Sequence, residues 1–208
     1  ENHVVGASVV VVKDGNVVFK QGYGYSNLAT KKAVSPNDTL FRVASVSKLF
    51  TWTAIMQLVE QNKITLEDNV NDYLKEFQIP DTYNEPIKIK HLITHTAGFN
   101  DQMMGLIFLK EKSDQLPLAL AMKKFLPARI RSPGEFVAYS NYGTALAGLI
   151  IQNVSNISFN QYVKEHIFKP LEMGNSSFDE PLPPELASKT SIGYSYGEEE
   201  YIPGYFEL

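Results

Sequence analysis

Residues 41–50 read F-R-V-A-S-V-S-K-L-F, a small-residue, polar opening to a longer apolar-periodic stretch. From Ala44 to about Gln61 the residues Val46, Leu49, Phe50, Thr53, Ile55, Leu58 and Val59 recur at roughly helical spacing, so the segment reads as a strong helix bounded by Asn62-Lys63. A spacing of three puts Ser45 and Lys48 on one face, one above the other. At a helix start, Ser45 also has a backbone N–H beside it and the positive end of the dipole, both suited to an oxyanion. Serine is a poor nucleophile unless a base takes its proton, and Lys48 is placed to help. The bland alternative is a serine cap and a solvated first-turn lysine, which a lone S-x-x-K favours. It is the only S-x-x-K in the chain.

Outward from this stretch, residues 4–12 (V-V-G-A-S-V-V-V-V) are apolar and rich in valine, as a buried strand is. Asp14-Gly15 is a hairpin signal, and V-V-F-K-Q-G-Y-G-Y returns until glycines break it. Downstream, short helices are predicted at about 67–74 and 89–94, with further helical segments at 103–112 and 114–125, Asp114 capping the latter. A small-residue helix is predicted at about 142–153. Ser158-Phe159-Asn160-Gln161 opens another helix that runs to about Lys169 and stops at Pro170. Beyond residue 178 only S-I-G-Y-S-Y-G reads as a short strand. A lone hairpin is marginal in water, so its sheet needs strands these residues do not supply.

Composition narrows the function classes. The 208 residues are 44% hydrophobic and 20% charged, with a formal net charge of −4. No Lys/Arg stripe forms, so nucleic acid is not an expected partner. No run of eighteen apolar residues occurs, as a membrane-spanning helix needs. Cysteine is absent, which excludes disulfides, thiolate metal sites and a cysteine nucleophile. The sequence opens at Glu1 without methionine or an apolar leader, so either a signal peptide has been removed or the chain starts inside a longer protein.

A lysine acting as base near neutral pH must give up its proton, and weakening an amine's hold on it a thousandfold costs roughly 4 kcal/mol. A tyrosine sharing the proton is one source of that energy. Tyr-Ser-Asn occurs twice, at residues 25–27 at the end of the first hairpin and at residues 139–141 after the turn S-P-G-E. Taken alone, Tyr139 is a packing aromatic and Asn141 a helix cap.

In order and context, however, these residues resemble the serine β-lactamase and penicillin-binding superfamily, in its class C β-lactamase-like branch with D-peptidases and esterases. Five stretches carry the resemblance almost end to end: K-D-G-N with K-Q-G-Y-G-Y, F-R-V-A-S-V-S-K-L-F, I-K-I-K-H-L-I-T-H-T-A-G-F, S-P-G-E-F-V-A-Y-S-N-Y-G-T-A-L-A-G-L-I-I, and I-F-K-P-L-E-M-G-N-S-S-F. The family's glycine before the methionine is Glu172 here. The resemblance implies an α+β fold of β-lactamase/transpeptidase type, an antiparallel sheet flanked by helices plus a mostly helical subdomain. It implies one domain over residues 1–208, divided at about residue 62 and truncated at both ends. Ser45 would be the acylated nucleophile, Lys48 and Tyr139 would share general-base duty, and Asn141 would bind a substrate amide. Residues 25–27 would be structural. No cofactor is expected; the substrate would be a β-lactam, a D-amino peptide or an ester. A secreted or envelope location is implied by the resemblance only.

The family's third motif, Lys-Thr-Gly or a relative such as His-x-Gly on a strand flanking the site, is absent after Asn141; Lys-x-Gly occurs only at residues 13–15 and 20–22. That motif supplies the second oxyanion N–H, and losing one such donor costs on the order of 10²–10³ in rate. Little or no activity is therefore expected of these residues alone, with a further segment or partner chain supplying the missing strands. Two other readings stand beside the enzyme. One is a binding module that keeps the fold without catalysis. The other is a metal site at His91 and His95, which Leu92 disfavours because H-E-x-x-H needs glutamate there; internal hydrogen bonds shaping the loop at residues 96–98 suit these histidines better.

Overall fold

The computed structural model describes residues 3–100 and 116–204. They fall into two compact units, one of residues 3–43 with 179–204 and one of residues 44–178. The boundary lies between Val43 and Ala44 rather than near residue 62, so the serine helix belongs with the helical unit.

The first unit is built on the hairpin that valine content and Asp14-Gly15 predict. Strand β1 (Gly6–Lys13) pairs antiparallel with β2 (Asn16–Asn27). Asp14 and Gly15 have φ of 50° and 75°, so the two-residue turn has the positive angles that match strand twist. A two-residue β3 (Lys32–Ala33) continues the sheet in the order β1-β2-β3. Gly22 is required where β2 passes Val34, because a Cβ there would stand 2.3 Å from the Val34 carbonyl oxygen. The sheet is partial. Val9–Val12 and Val17–Phe19 are 41–60% exposed, and because neighbours along a strand face opposite ways, both faces of the hairpin are uncovered. The tyrosine-rich tail forms a second hairpin, β4 (Tyr194–Gly197) and β5 (Glu200–Pro203), where the sequence indicated one strand at most.

The second unit packs around one buried helix. Helix α1 (Lys48–Glu60) follows a 3-10 turn at Ala44–Ser47; α2 spans Ile89–Ile93, α3 Leu118–Lys124, α4 Asn141–Ser155 and α5 Phe159–Val163, which widens into a π-helical stretch at Lys164–Phe168. Ser158 caps α5 as expected, its Oγ accepting from the Gln161 N–H. In α4 Tyr142, Leu146, Ala147, Leu149, Ile150 and Ile151 are all buried, so its small residues let neighbours approach on every side. Fully burying each large one contributes about 1.5–3 kcal/mol.

Three expectations need correction. The buried face of α1 is Thr51, Ala54, Ile55 and Leu58, whereas Val46, Leu49 and Thr53 are exposed, so the apolar stripe is displaced from the one the sequence suggested. The predicted helix at 67–74 is only a 3-10 turn at Val70–Tyr73. Here side chains outcompete the helical ladder: Asp68 accepts from the Thr65 N–H and hydroxyl, Asn69 caps the Asn71 N–H, and Asn71 bonds both the N–H and the carbonyl of Ile79. The helix expected at 114–125 is confined, among the described residues, to α3; the one at 103–112 and the Asp114 cap lie outside the described residues.

Glu172 occupies a left-handed turn with φ of 56°, a backbone that glycine adopts without steric cost. Glu172→Gly should raise the unfolding free energy by about 1 kcal/mol, read from urea melts. The Asp68 carboxyl is held below its ordinary value by hydrogen bonds from the Thr65 side chain, then Tyr73 and the Thr65 backbone. The Tyr73 phenol is pushed up to about 12, by burial first and by Asp68 second. A depressed carboxyl stabilises the fold above its unfolded value and loses that contribution as pH falls through its native value. Asp68→Asn should therefore be less stable than the parent at pH 7, and the gap should close below about pH 4.

Candidate active site

The turn at Ala44–Ser47 delivers Ser45 to the mouth of α1. Ala44 has φ of 46°, a left-handed conformation uncommon for alanine, at the first residue of that turn. Ser45 precedes the first α-helical residue, Lys48, so its N–H lies outside the helical ladder at the positive end of α1. Helix α4 begins at Asn141 with Ser140 as its cap: the Ser140 Oγ accepts from the Gly143 N–H at 2.9 Å. Ser140, rather than Asn141, performs the capping, which leaves Asn141 for other contacts.

Four residues meet. Lys48 Nζ donates to Ser45 Oγ at 3.1 Å and to Asn141 Oδ1 at 2.8 Å, while Tyr139 OH donates to Ser45 Oγ at 2.6 Å. Lys48 Nζ also lies 4.8 Å from the centroid of the Tyr139 ring. Ser45 and half of Tyr139 are open to solvent, whereas Lys48 and Asn141 are half-buried. A nucleophilic oxygen with two proton-carrying groups within bonding distance, exposed to an incoming carbonyl, is the arrangement acyl transfer needs.

The other Tyr-Ser-Asn copy sits at the end of β2. The buried Ser26 hydroxyl donates to the Lys32 carbonyl, and Asn27 Oδ1 accepts from the Thr30 N–H, so this copy shapes a turn.

His91 and His95 both serve the backbone. His91 Nδ1 accepts from the Lys88 N–H at 3.1 Å and His95 Nδ1 from the Ser140 N–H at 3.2 Å. Burial, with Lys90 and Lys88 nearby, pushes His91 below the ordinary imidazole value. The sequence reading did not connect His95 with the Tyr-x-Asn segment. Its ring lies 4.6 Å from that of Tyr139, and Trp52 approaches the imidazole edge-on at 6.0 Å. Only the repeated spacing of histidines before Thr96-Ala97-Gly98 hinted at it.

The Beta-lactamase family profile matches residues 1–201. The chain belongs to the β-lactamase family. Among its relatives is penicillin-binding protein 4* of Bacillus subtilis (strain 168), 29% identical over 202 residues, covering 94% of this chain and 43% of that protein. Protein flp of Staphylococcus aureus (strain MW2) is 34% identical over 180 residues, covering 86% of this chain and 36% of that protein. An octameric penicillin-binding protein homologue from Pyrococcus abyssi superposes with a TM-score of 0.80 at 30% identity, over 96% of this chain and 46% of its own. EstCE1, a hydrolase with promiscuous acyltransferase activity, does so with a TM-score of 0.84 at 25% identity, over 99% and 55%. The chain thus spans about a third to a half of the length of these relatives.

The strained turn before the serine gives a direct check. Ala44→Gly should keep or slightly raise stability, while Ala44→Val, β-branched at positive φ, should lower it by about 1–3 kcal/mol. Thermal melts of the two variants read the difference.

Proposed function

We propose that the protein containing this chain is a serine acyl-transfer hydrolase of the class C β-lactamase-like branch. The observation that carries the reading is the convergence of Lys48 Nζ and Tyr139 OH on Ser45 Oγ. In the reaction Ser45 Oγ attacks a substrate carbonyl carbon, and its proton passes to the Lys48–Tyr139 pair. The C–N or C–O bond of the tetrahedral intermediate then breaks, the leaving group takes that proton, and an acyl-enzyme remains at Ser45. Water or an amine attacks the ester carbon, returning a proton to Ser45 Oγ through the same pair. Asn141 orients Lys48 through its Oδ1, and its amide is the group assigned to hydrogen-bond a substrate amide.

A D-amino peptide or a related amide is the substrate class we favour, ahead of efficient β-lactam turnover, with short esters third. The likeness to a penicillin-binding homologue supports the first choice, and that to a hydrolase with acyltransferase activity supports acyl transfer. The uncovered β1 edge suits a further strand, and a segment bearing a Lys-x-Gly or His-x-Gly motif would add the second oxyanion N–H. Residues 1–208 alone should accordingly turn over little substrate.

The test is the intact mass of the full-length protein before and after incubation with a penicillin. One penicillin mass should be added, and Ser45→Ala should abolish the adduct. Tyr139→Phe should slow acylation by about 10²–10⁴, as loss of a general acid–base group does. An adduct that persists in Ser45→Ala would refute the assignment.

A further inference from the structure

Helix α2 ends in a paired hydrogen-bond motif that ordinarily selects glycine. The His95 N–H donates to the Leu92 carbonyl at 3.2 Å, and the Thr96 N–H donates to the His91 carbonyl at 2.8 Å. Together they close a Schellman turn whose left-handed residue is His95, with φ of 55°. Glycine takes that position without steric cost, so the turn itself does not call for an imidazole, and its side-chain contacts are what distinguish it there.

Its contacts are with the residues on either side of Tyr139. The His95 carbonyl accepts from the Ala138 N–H at 2.7 Å, and His95 Nδ1 accepts from the Ser140 N–H at 3.2 Å. Between these two clamps the imidazole packs against the Tyr139 ring, centroids 4.6 Å apart and planes inclined by 32°. Trp52, half-buried on α1, braces the imidazole edge-on. An Nδ1 that accepts must carry a lone pair, so the bonded imidazole is the neutral tautomer with its proton on Nε2.

We infer that His95 is the positioning residue of Tyr139. By gripping the backbone before and after the tyrosine and packing on its ring, it holds the phenol oxygen 2.6 Å from Ser45 Oγ. In this role it acts on acylation through Tyr139. This rests on the functional reading above, in which the Tyr139 hydroxyl moves the serine proton.

The decisive variant is His95→Gly in the full-length protein. Glycine satisfies the turn, so the unfolding midpoint should stay within a few degrees. Acylation by a penicillin should nonetheless slow by about 10–100-fold, the scale of an ångström-level misplacement. Initial binding of the penicillin, separated from the acylation rate by its concentration dependence, should change little. His95→Asn, which tolerates positive φ and offers an amide oxygen to the Ser140 N–H, should recover part of the rate. His95→Gly acylating at the wild-type rate would overturn the inference, as would equal losses in binding and acylation.

The two readings fail separately. If the wild-type protein takes no adduct from a penicillin or a fluorophosphonate, the functional reading fails. The positioning role is then decided by a crystal structure of His95→Gly: a Tyr139 hydroxyl still 2.6 Å from Ser45 Oγ refutes it, and a displaced one supports it.

Discussion

A single capping hydrogen bond organises the site. Ser140 is buried, and its Oγ takes the Gly143 N–H, which fixes where α4 begins. Because successive residues of an extended segment face opposite ways, a buried Ser140 turns its neighbour Tyr139 outward. Asn141 starts the helix and reaches Lys48. The tyrosine, the cap and the asparagine of Tyr-x-Asn are thus three consequences of one chain entering a buried helix. The middle residue contributes no chemistry, yet it determines where the other two point.

On the opposite wall the logic is similar. Thr51, Ala54, Ile55 and Leu58 anchor α1 against the core, and the turn at residues 44–47 projects beyond that anchored face. The serine hydroxyl is exposed while the lysine below it is half-buried. An amine shielded in this way, held by an asparagine oxygen and set against an aromatic face, has a fixed direction towards the serine. The hydrogen bond from Tyr139 to Ser45 then joins segments 94 residues apart.

Much of this was legible in the chain itself, for identifiable reasons. Asp14-Gly15 announces its own turn type, Ser158 its own cap, and Ser45 and Lys48 their shared face, because each depends on neighbours in sequence. Selecting residues 139–141 over 25–27 depended on resemblance and order; the structure supplies the reason, since Ser26 is consumed by a turn and Tyr139 is delivered to the serine. What could not be read were features decided by tertiary contact. The buried stripe of α1 depends on where α4 lies, and the region around Asp68 on side chains folding back onto the backbone. The spacing of His91 and His95 allowed a metal pair that Leu92 disfavoured; internal hydrogen bonds were expected instead, and their donors are the Lys88 and Ser140 N–H groups.

The valine ladder of β1 carries a further consequence. Among the described residues β1 has a neighbour on one side only, and Val9, Val10, Val11 and Val12 stand in solvent consecutively. Such a strand is a template that any extended apolar peptide can join, including the same strand of another molecule. A polypeptide confined to these residues would therefore have its solubility governed by concentration and by competition for that edge. A strand seated on that edge would keep it from pairing with the wrong partner.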